Sequence, residues 1–327
     1  MYYKTGKNEY REIEKQKNID FKRDFLKVVD KPVKWKGHIL HYFLEDSSLN
    51  LLESIRKETL DYFKGKWWKI SEEDLVNYEG LSDKELSDNY PTGNMLSSQV
   101  SCVNHLFPLR GEQDLVTALL HNIDNRIIKA EKVDDGYIGF EKMGGKDKNP
   151  LNEKSPERRE GSKSTSIDAL MVGKKCDGKS ILVLIEWKYT EPYENQKCKF
   201  FPNYEPHQGY IQLLHAEDSP IKSPNADMDL FYDPYYQLMR QTLLGFEMVK
   251  LKEYDSNEYL NLHIIPYGNV KLRKKITTPI DWKGLLKEQS KYKVFSPEEL
   301  LQPLKGQDCL NNYFEYLHNR YKEKYKE

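Results

Sequence analysis

The chain has 327 residues and a net charge of −1, so it can bury one large core or two modest ones but lacks the global basic balance of a protein that coats nucleic acid. A local basic groove would still suffice for binding it. Four scattered cysteines (Cys102, Cys176, Cys198, Cys309) form no Cys-x-x-Cys pair and argue against a zinc site or disulfide framework, while the lack of any signal-like or membrane-length apolar run makes the chain read as cytoplasmic.

Residues 1–92 mix short helical and strand-like pieces with polar breaks and read as an N-terminal subdomain of unknown role. Within them, residues 51–63 have the apolar spacing of an amphipathic helix, and Pro91-Thr-Gly93 makes a boundary before a second domain, 93–327. In residues 113–131 the positions Leu115, Leu119, Leu120, Ile123, Ile127 and Ile128 recur at three-to-four spacing and predict one helix. A short strand follows over 136–141, then a polar, Gly-rich loop over 142–163. Two apolar strands flank Lys174-Lys-Cys-Asp-Gly-Lys179. Residues 193–206 look irregular, and a short helix is expected over 207–215. Asp233-Pro opens a helix with a stripe through Tyr236, Met239, Leu243 and Phe246; a strand follows over 259–266, and residues 296–325 are mostly helical with Ser296 as N-cap. Helix then strand after a hairpin implies a crossover, hence an α/β fold with a mixed central sheet of four to five strands flanked by helices.

The flanked turn is the most informative stretch. Each of its strands carries charge where a buried strand should not: Asp168 on the first, Glu186 and then Lys188 on the second. Desolvating an unpaired carboxylate costs several kcal/mol, so such placement points to a site. If Cys176-Asp177-Gly178 is a three-residue hairpin loop, with Gly178 in the left-handed position, facing residues have numbers that sum to 354. Asp168 and Glu186 then lie directly across the ladder, roughly 5 Å apart at Cβ, with Lys188 on the same face. Two carboxylates so close call for a cation, and oxygen ligands suit a hard divalent metal.

Ser-Ile-Asp168, the step to Glu186 and Glu-Trp-Lys188 resemble the PD-(D/E)XK nuclease superfamily, with Ile167 in place of the usual proline. The match covers residues 137 to 270; nothing before Leu96 contributes to it. The resemblance implies a restriction-endonuclease-like core whose elements run helix–strand–strand–strand–helix–strand. It implies Mg²⁺, with Mn²⁺ able to substitute, held by Asp168, Glu186 and the backbone carbonyl of Trp187, while Lys188 positions the attacking water. An additional acidic ligand often comes from upstream; Glu141 and Glu153 are the candidates, each with a solvated loop carboxylate as the alternative. Gln237, in Tyr-Gln-Leu-Met-Arg-Gln, is similar to a glutamine that orders the site or a DNA phosphate, though Gln241 stands where a tyrosine is usual. A surface polar residue on an amphipathic helix is the competing reading for Gln237.

Two stretches are locally basic. Arg158, Arg159 and Lys163 precede the first strand of the hairpin, and Lys271, Arg273, Lys274, Lys275, Lys283, Lys287, Lys291 and Lys293 cluster further on. Arg158, Arg159, Lys163, Lys274 and Lys275 are the candidate DNA contacts, against the plainer reading of solvated faces. His207 and His215 have no metal-ligand spacing, and no phosphate-loop motif appears. The expected function is Mg²⁺-dependent DNA hydrolysis by a restriction or defence endonuclease; cutting of both strands would suggest a homodimer, for which no interface is readable. The alternatives are a repair-type or structure-specific nuclease, a non-catalytic DNA-binding module on the same fold, and a protein-interaction scaffold using the aromatic N-terminal part.

Overall fold

A computed structural model describes residues 9–29, 33–64, 68–69, 72–78, 80, 82, 85, 89–144, 151, 165–191, 193, 205–222 and 227–322. Glu153, Arg158, Arg159, Lys163 and Cys198 lie outside the described residues, as does most of the loop expected over 142–163. The first part of the chain holds α1 (Glu9–Phe21), β1 (Val33–Trp35), β2 (His38–Leu40), α2 (Arg56–Phe63), α3 (Glu72–Asn77), α4 (Ser98–Leu106) and α5 (Gln113–Ile123). Four strands follow: β3 (Ile127–Glu131), β4 (Ile138–Met143), β5 (Ser166–Lys175) and β6 (Ser180–Trp187). Then come α6 (Glu205–His215), α7 (Tyr235–Lys250), β7 (Ser256–Ile264), α8 (Val270–Lys275), α9 (Trp282–Leu285), β8 (Tyr292–Phe295), α10 (Pro297–Leu301) and α11 (Asn311–Tyr321).

The β5–β6 hairpin is the axis of the sheet, and its register is the one expected. Ala169 pairs with Ile185, Met171 with Val183 and Lys174 with Ser180, every pair summing to 354. The Lys175 N–H donates to the Lys179 carbonyl at 2.8 Å and the Gly178 N–H to the Lys175 carbonyl at 2.9 Å. Gly178 has φ +81°, the left-handed conformation that a Cβ would make costly. On its other edge β5 carries two antiparallel partners end to end, β3 along residues 172–175 and β4 along 166–171. Beyond β6 lies β7, parallel and reached by the α6–α7 crossover, and then β8, parallel to β7 and reached through α8 and α9.

The sheet therefore has six strands rather than four to five. The extra ones are short pieces whose sequence signal was masked. The helix expected over 113–131 stops at Ile123, because the Asp124 carboxylate accepts the Arg126 N–H at 3.0 Å and turns the chain. Ile127 then points into the core from β3 while Ile128 is 58% exposed; the turn happens to prolong the helical spacing. β8 sits inside the lysine-rich stretch, where Lys-Tyr-Lys-Val-Phe alternates without standing out.

Side chains alternate across the sheet into two cores. Met171, Val183, Ile185, Leu262 and Ile264 pack toward α4, α5 and α11, and that core also takes in Phe21, Leu44, Phe63 and Trp68. Residues on both sides of position 92 thus share one apolar cluster. Leu170, Val172, Leu182, Leu184 and Tyr259 pack toward α7 through Met239, Leu243 and Leu244. Gly245 lets α7 lie close on the sheet, since a Cβ there would fall 2.7 Å from the Tyr259 ring. The N-cap expected at Ser296 is present, and Glu299 extends it to a capping box. Among the described residues, no helix is long and apolar enough to cross a membrane.

Candidate active site

Every residue of β6 is buried, so a carboxylate at Glu186 needs partners. Asp168 on β5 takes the next position in the hairpin register and faces it. Both are nearly inaccessible, at 5% and 6% exposure. Lys188 follows β6 on the same face; its N–H donates to the Ile264 carbonyl at 2.9 Å, and its ammonium forms an ion pair with Glu186 Oε1. The trio read from the sequence is therefore brought together by one hairpin. Trp187 contributes its N–H, donated to Asp168 Oδ2 at 2.8 Å, while its indole turns to the other face and donates to Ser101 Oγ at 3.1 Å.

Glu141 joins the trio. It lies on β4 opposite Asp168, between the Phe140–Ala169 and Lys142–Ile167 pairs, and is buried. Its φ of +52° is a left-handed conformation that strains a residue bearing a Cβ by roughly 1–2 kcal/mol. Such strain persists where the surroundings hold it: Glu141 Oε1 accepts from Gln99 Nε2 on α4 at 2.7 Å and lies 3.2 Å from Lys69 Nζ.

Lys69 stands out in no local sequence pattern, and no chemistry is legible in the sequence before residue 93. Its ammonium lies 2.7 Å from Asp168 Oδ1, so it bridges Asp168 and Glu141. Gln241, one turn beyond Gln237 on α7, is the helix glutamine that reaches β6: its amide nitrogen donates to Glu186 Oε2. Its amide oxygen is 2.9 Å from His263 Nε2 on β7, the strand residue paired with Glu186. Gln237 accepts from the Tyr193 hydroxyl at 3.0 Å. A histidine between Leu262 and Ile264 is the same kind of signal as Glu186, a polar group in a buried strand, and could have been found by it.

The charges interlock. Burial pushes the Glu186 carboxyl up to about 7, with Asp168 adding to the rise and Lys188 and Lys69 resisting it. Burial also acts to raise Asp168, but Lys69, Lys188 and the Trp187 N–H outweigh it and hold that carboxyl below its ordinary value. Glu141 is raised by burial against the pull of Lys69. Burial would neutralise Lys188, yet Glu186 and its acidic neighbours keep it firmly protonated. His263 is depressed to about 3 by burial and by Lys188, so its ring is neutral.

The group opens on a polar cavity of about 520 Å³ whose walls include Arg11, Lys69, Gln99, Lys188, Gln237, Arg240 and Gln241. Lys274 and Lys275 do not line it. Lys274 is exposed on α8, and the Lys275 ammonium donates to the Tyr193 carbonyl, which shapes the rim. Further along the basic stretch, Lys287, Lys291 and Lys293 are engaged with Glu217, Glu288 and Ile123. The basic groups at the cavity are instead Arg11, Lys69, Lys188 and Arg240, spread over the chain and unreadable as a run.

The donor set suits a hard divalent ion. Three acidic side chains, Asp168, Glu186 and Glu141, are set against two ammoniums, Lys69 and Lys188, and every group the acids offer is an oxygen. Among the described residues no three acidic, imidazole or thiol side chains are grouped so as to hold a metal ion, and each of these carboxylates turns an oxygen to a lysine.

A mixed sheet that presents acidic residues from adjacent antiparallel strands, with a lysine two positions on, at the mouth of a polar cleft defines a restriction-endonuclease-like fold. Residues 40–322 match the family described as restriction endonuclease associating with ARP, and the chain belongs to that family, which suggests a nuclease-type function. The match begins well before the hairpin and includes Lys69. No curated protein and no solved structure matches the chain.

Proposed function

We propose that the protein is a Mg²⁺-dependent DNA endonuclease of the restriction or defence type. The observation that carries this reading is the convergence of Asp168, Glu186 and Lys188, with Glu141 beside them, at the mouth of one polar cavity. Asp168 and Glu186 would hold the ion, with Glu141 and the Trp187 carbonyl as further oxygen donors. When bound, the ion would polarise the phosphate and offset the charge that grows on its oxygens.

The chain's own residues would do the rest. Lys188, kept protonated by Glu186, would donate a hydrogen bond to the attacking water and position it. Gln241 fixes the Glu186 carboxylate through its amide, and Gln237 with Tyr193 shapes the wall beside Lys188. Arg11 and Arg240 supply positive charge at the cavity for the DNA backbone. Hydrolysis forms one phosphorus–oxygen bond from water and breaks one ester bond, the leaving oxygen taking a proton. Cutting both strands of a duplex would call for a homodimer, and work on cellular or invading DNA for a cytoplasmic location. The chain would be organised in two parts, 1–92 and 93–327, the first lending Arg11 and Lys69 to the site.

Supercoiled plasmid incubated with Mg²⁺ tests the reading, with Glu186→Ala and an EDTA control alongside. Nicked or linear product from the wild type alone is the expected result. Equal cleavage by Glu186→Ala would remove this site from the chemistry.

A further inference from the structure

Lys69 reaches the carboxylates from outside the hairpin that builds them. Its own backbone is fixed: Trp68 before it is fully buried and stacks on Phe63 with centroids 4.1 Å apart, and the Lys69 N–H donates to Gln99 Oε1 at 2.7 Å. Gln99 in turn donates to Glu141. Its side chain is 47% exposed along the cavity wall, and its ammonium is paired with Asp168 Oδ1 and Glu141 Oε1.

A divalent ion held by Asp168 and Glu141 would need these same two oxygens. An ammonium held 2.7 and 3.2 Å from them cannot share them with a dication, both for want of space and because like charges repel. We propose that Lys69 is a resident cation of the carboxylate site, which a divalent ion must displace, so that this residue sets the metal concentration at which the site fills. In the metal-free protein Lys69 offsets the repulsion between Asp168 and Glu141 and keeps the strands together. On displacement its four-carbon arm swings into the cavity, where the ammonium is placed to meet a phosphate oxygen. Metal affinity and order in the empty site are thereby linked through one side chain from the N-terminal part of the chain.

This inference rests on the carboxylates being the metal site, and the test separates the two. Mn²⁺ alone is titrated calorimetrically into wild type, Lys69→Met and Asp168→Asn, with no DNA present. Lys69→Met should bind Mn²⁺ on the order of tenfold more tightly, the scale on which groups bonded to ligands alter metal affinity, and Asp168→Asn should bind it far more weakly. Equal or weaker binding by Lys69→Met overturns the role of Lys69; unchanged binding by Asp168→Asn overturns the site itself. Should Lys69→Met fold poorly, amine acylation of the wild type read by mass spectrometry answers the same question. Labelling of Lys69 should rise several-fold when Mn²⁺ is added, and labelling unaffected by Mn²⁺ refutes displacement.

Discussion

Replacing Gln241 by leucine tests whether the proposed metal carboxylate is held from behind by a polar relay. The side chains are close in volume, so α7 should stay seated on the sheet and the loss is confined to two hydrogen bonds. One is the amide donation to Glu186 Oε2; the other is the 2.9 Å contact in which neutral His263 donates through Nε2–H to the amide oxygen. A hydrogen bond to an ionised carboxylate contributes about 1.5–3 kcal/mol, and an orphaned buried donor costs about 1–3 kcal/mol. With the apolar gain of leucine set against them, the net loss should be about 2–4 kcal/mol, within the 5–15 kcal/mol typical of a folded domain, so the variant folds. Its cleavage rate should fall by roughly 10- to 100-fold, since groups that orient a metal-binding carboxylate have effects of that size. The assay is plasmid nicking over a range of Mg²⁺, beside urea unfolding of the same preparations. His263→Leu, which does not line the cavity, should show a smaller drop of the same kind, because the amide then loses only the group that fixes which way it faces. Cleavage by Gln241→Leu within about twofold of wild type would refute the relay, whatever its stability.

Gly245→Ala would ordinarily favour a helix by about 1 kcal/mol, but here the new methyl meets the Tyr259 ring at 2.7 Å and overpacks the α7–sheet contact, so a net loss of about 0.5–2 kcal/mol is expected in urea unfolding; a gain in stability would mean that the helix is not seated as described. His105 is buried with its Nδ1 2.7 Å from the Ser101 carbonyl, and burial lowers it to about 4. Because the unfolded chain takes up that proton first, the contribution of His105 is fully present above the ordinary histidine value of 6.5 and is lost as pH falls toward 4, about 3 kcal/mol in all. His105→Gln should flatten the stability profile over that window, and an unchanged slope would contradict the assignment.

Much of the site was legible because it violated local expectation. Asp168 and Glu186 stand in strands apolar enough to be buried, and a three-residue turn closing on Gly178 fixes which residues face each other. Side chains alternate strictly along a strand, so turn chemistry and numbering were sufficient to pair the carboxylates and place Lys188 with them. The helix of α7 and the cap at Ser296 were legible for the same reason, since both are set by residues within a turn or two. What tertiary structure alone decided is everything that depends on separation along the chain. Lys69 meets Asp168 across 99 positions, Gln99 meets Glu141 across 42, and Gln241 meets Glu186 across 55. No periodicity encodes such meetings; they follow from how α4 and α7 pack on opposite faces of the sheet. The boundary between β3 and the helix before it was likewise settled by burial, because Ile127 and Ile128 fit either pattern and only one of them had a core to enter.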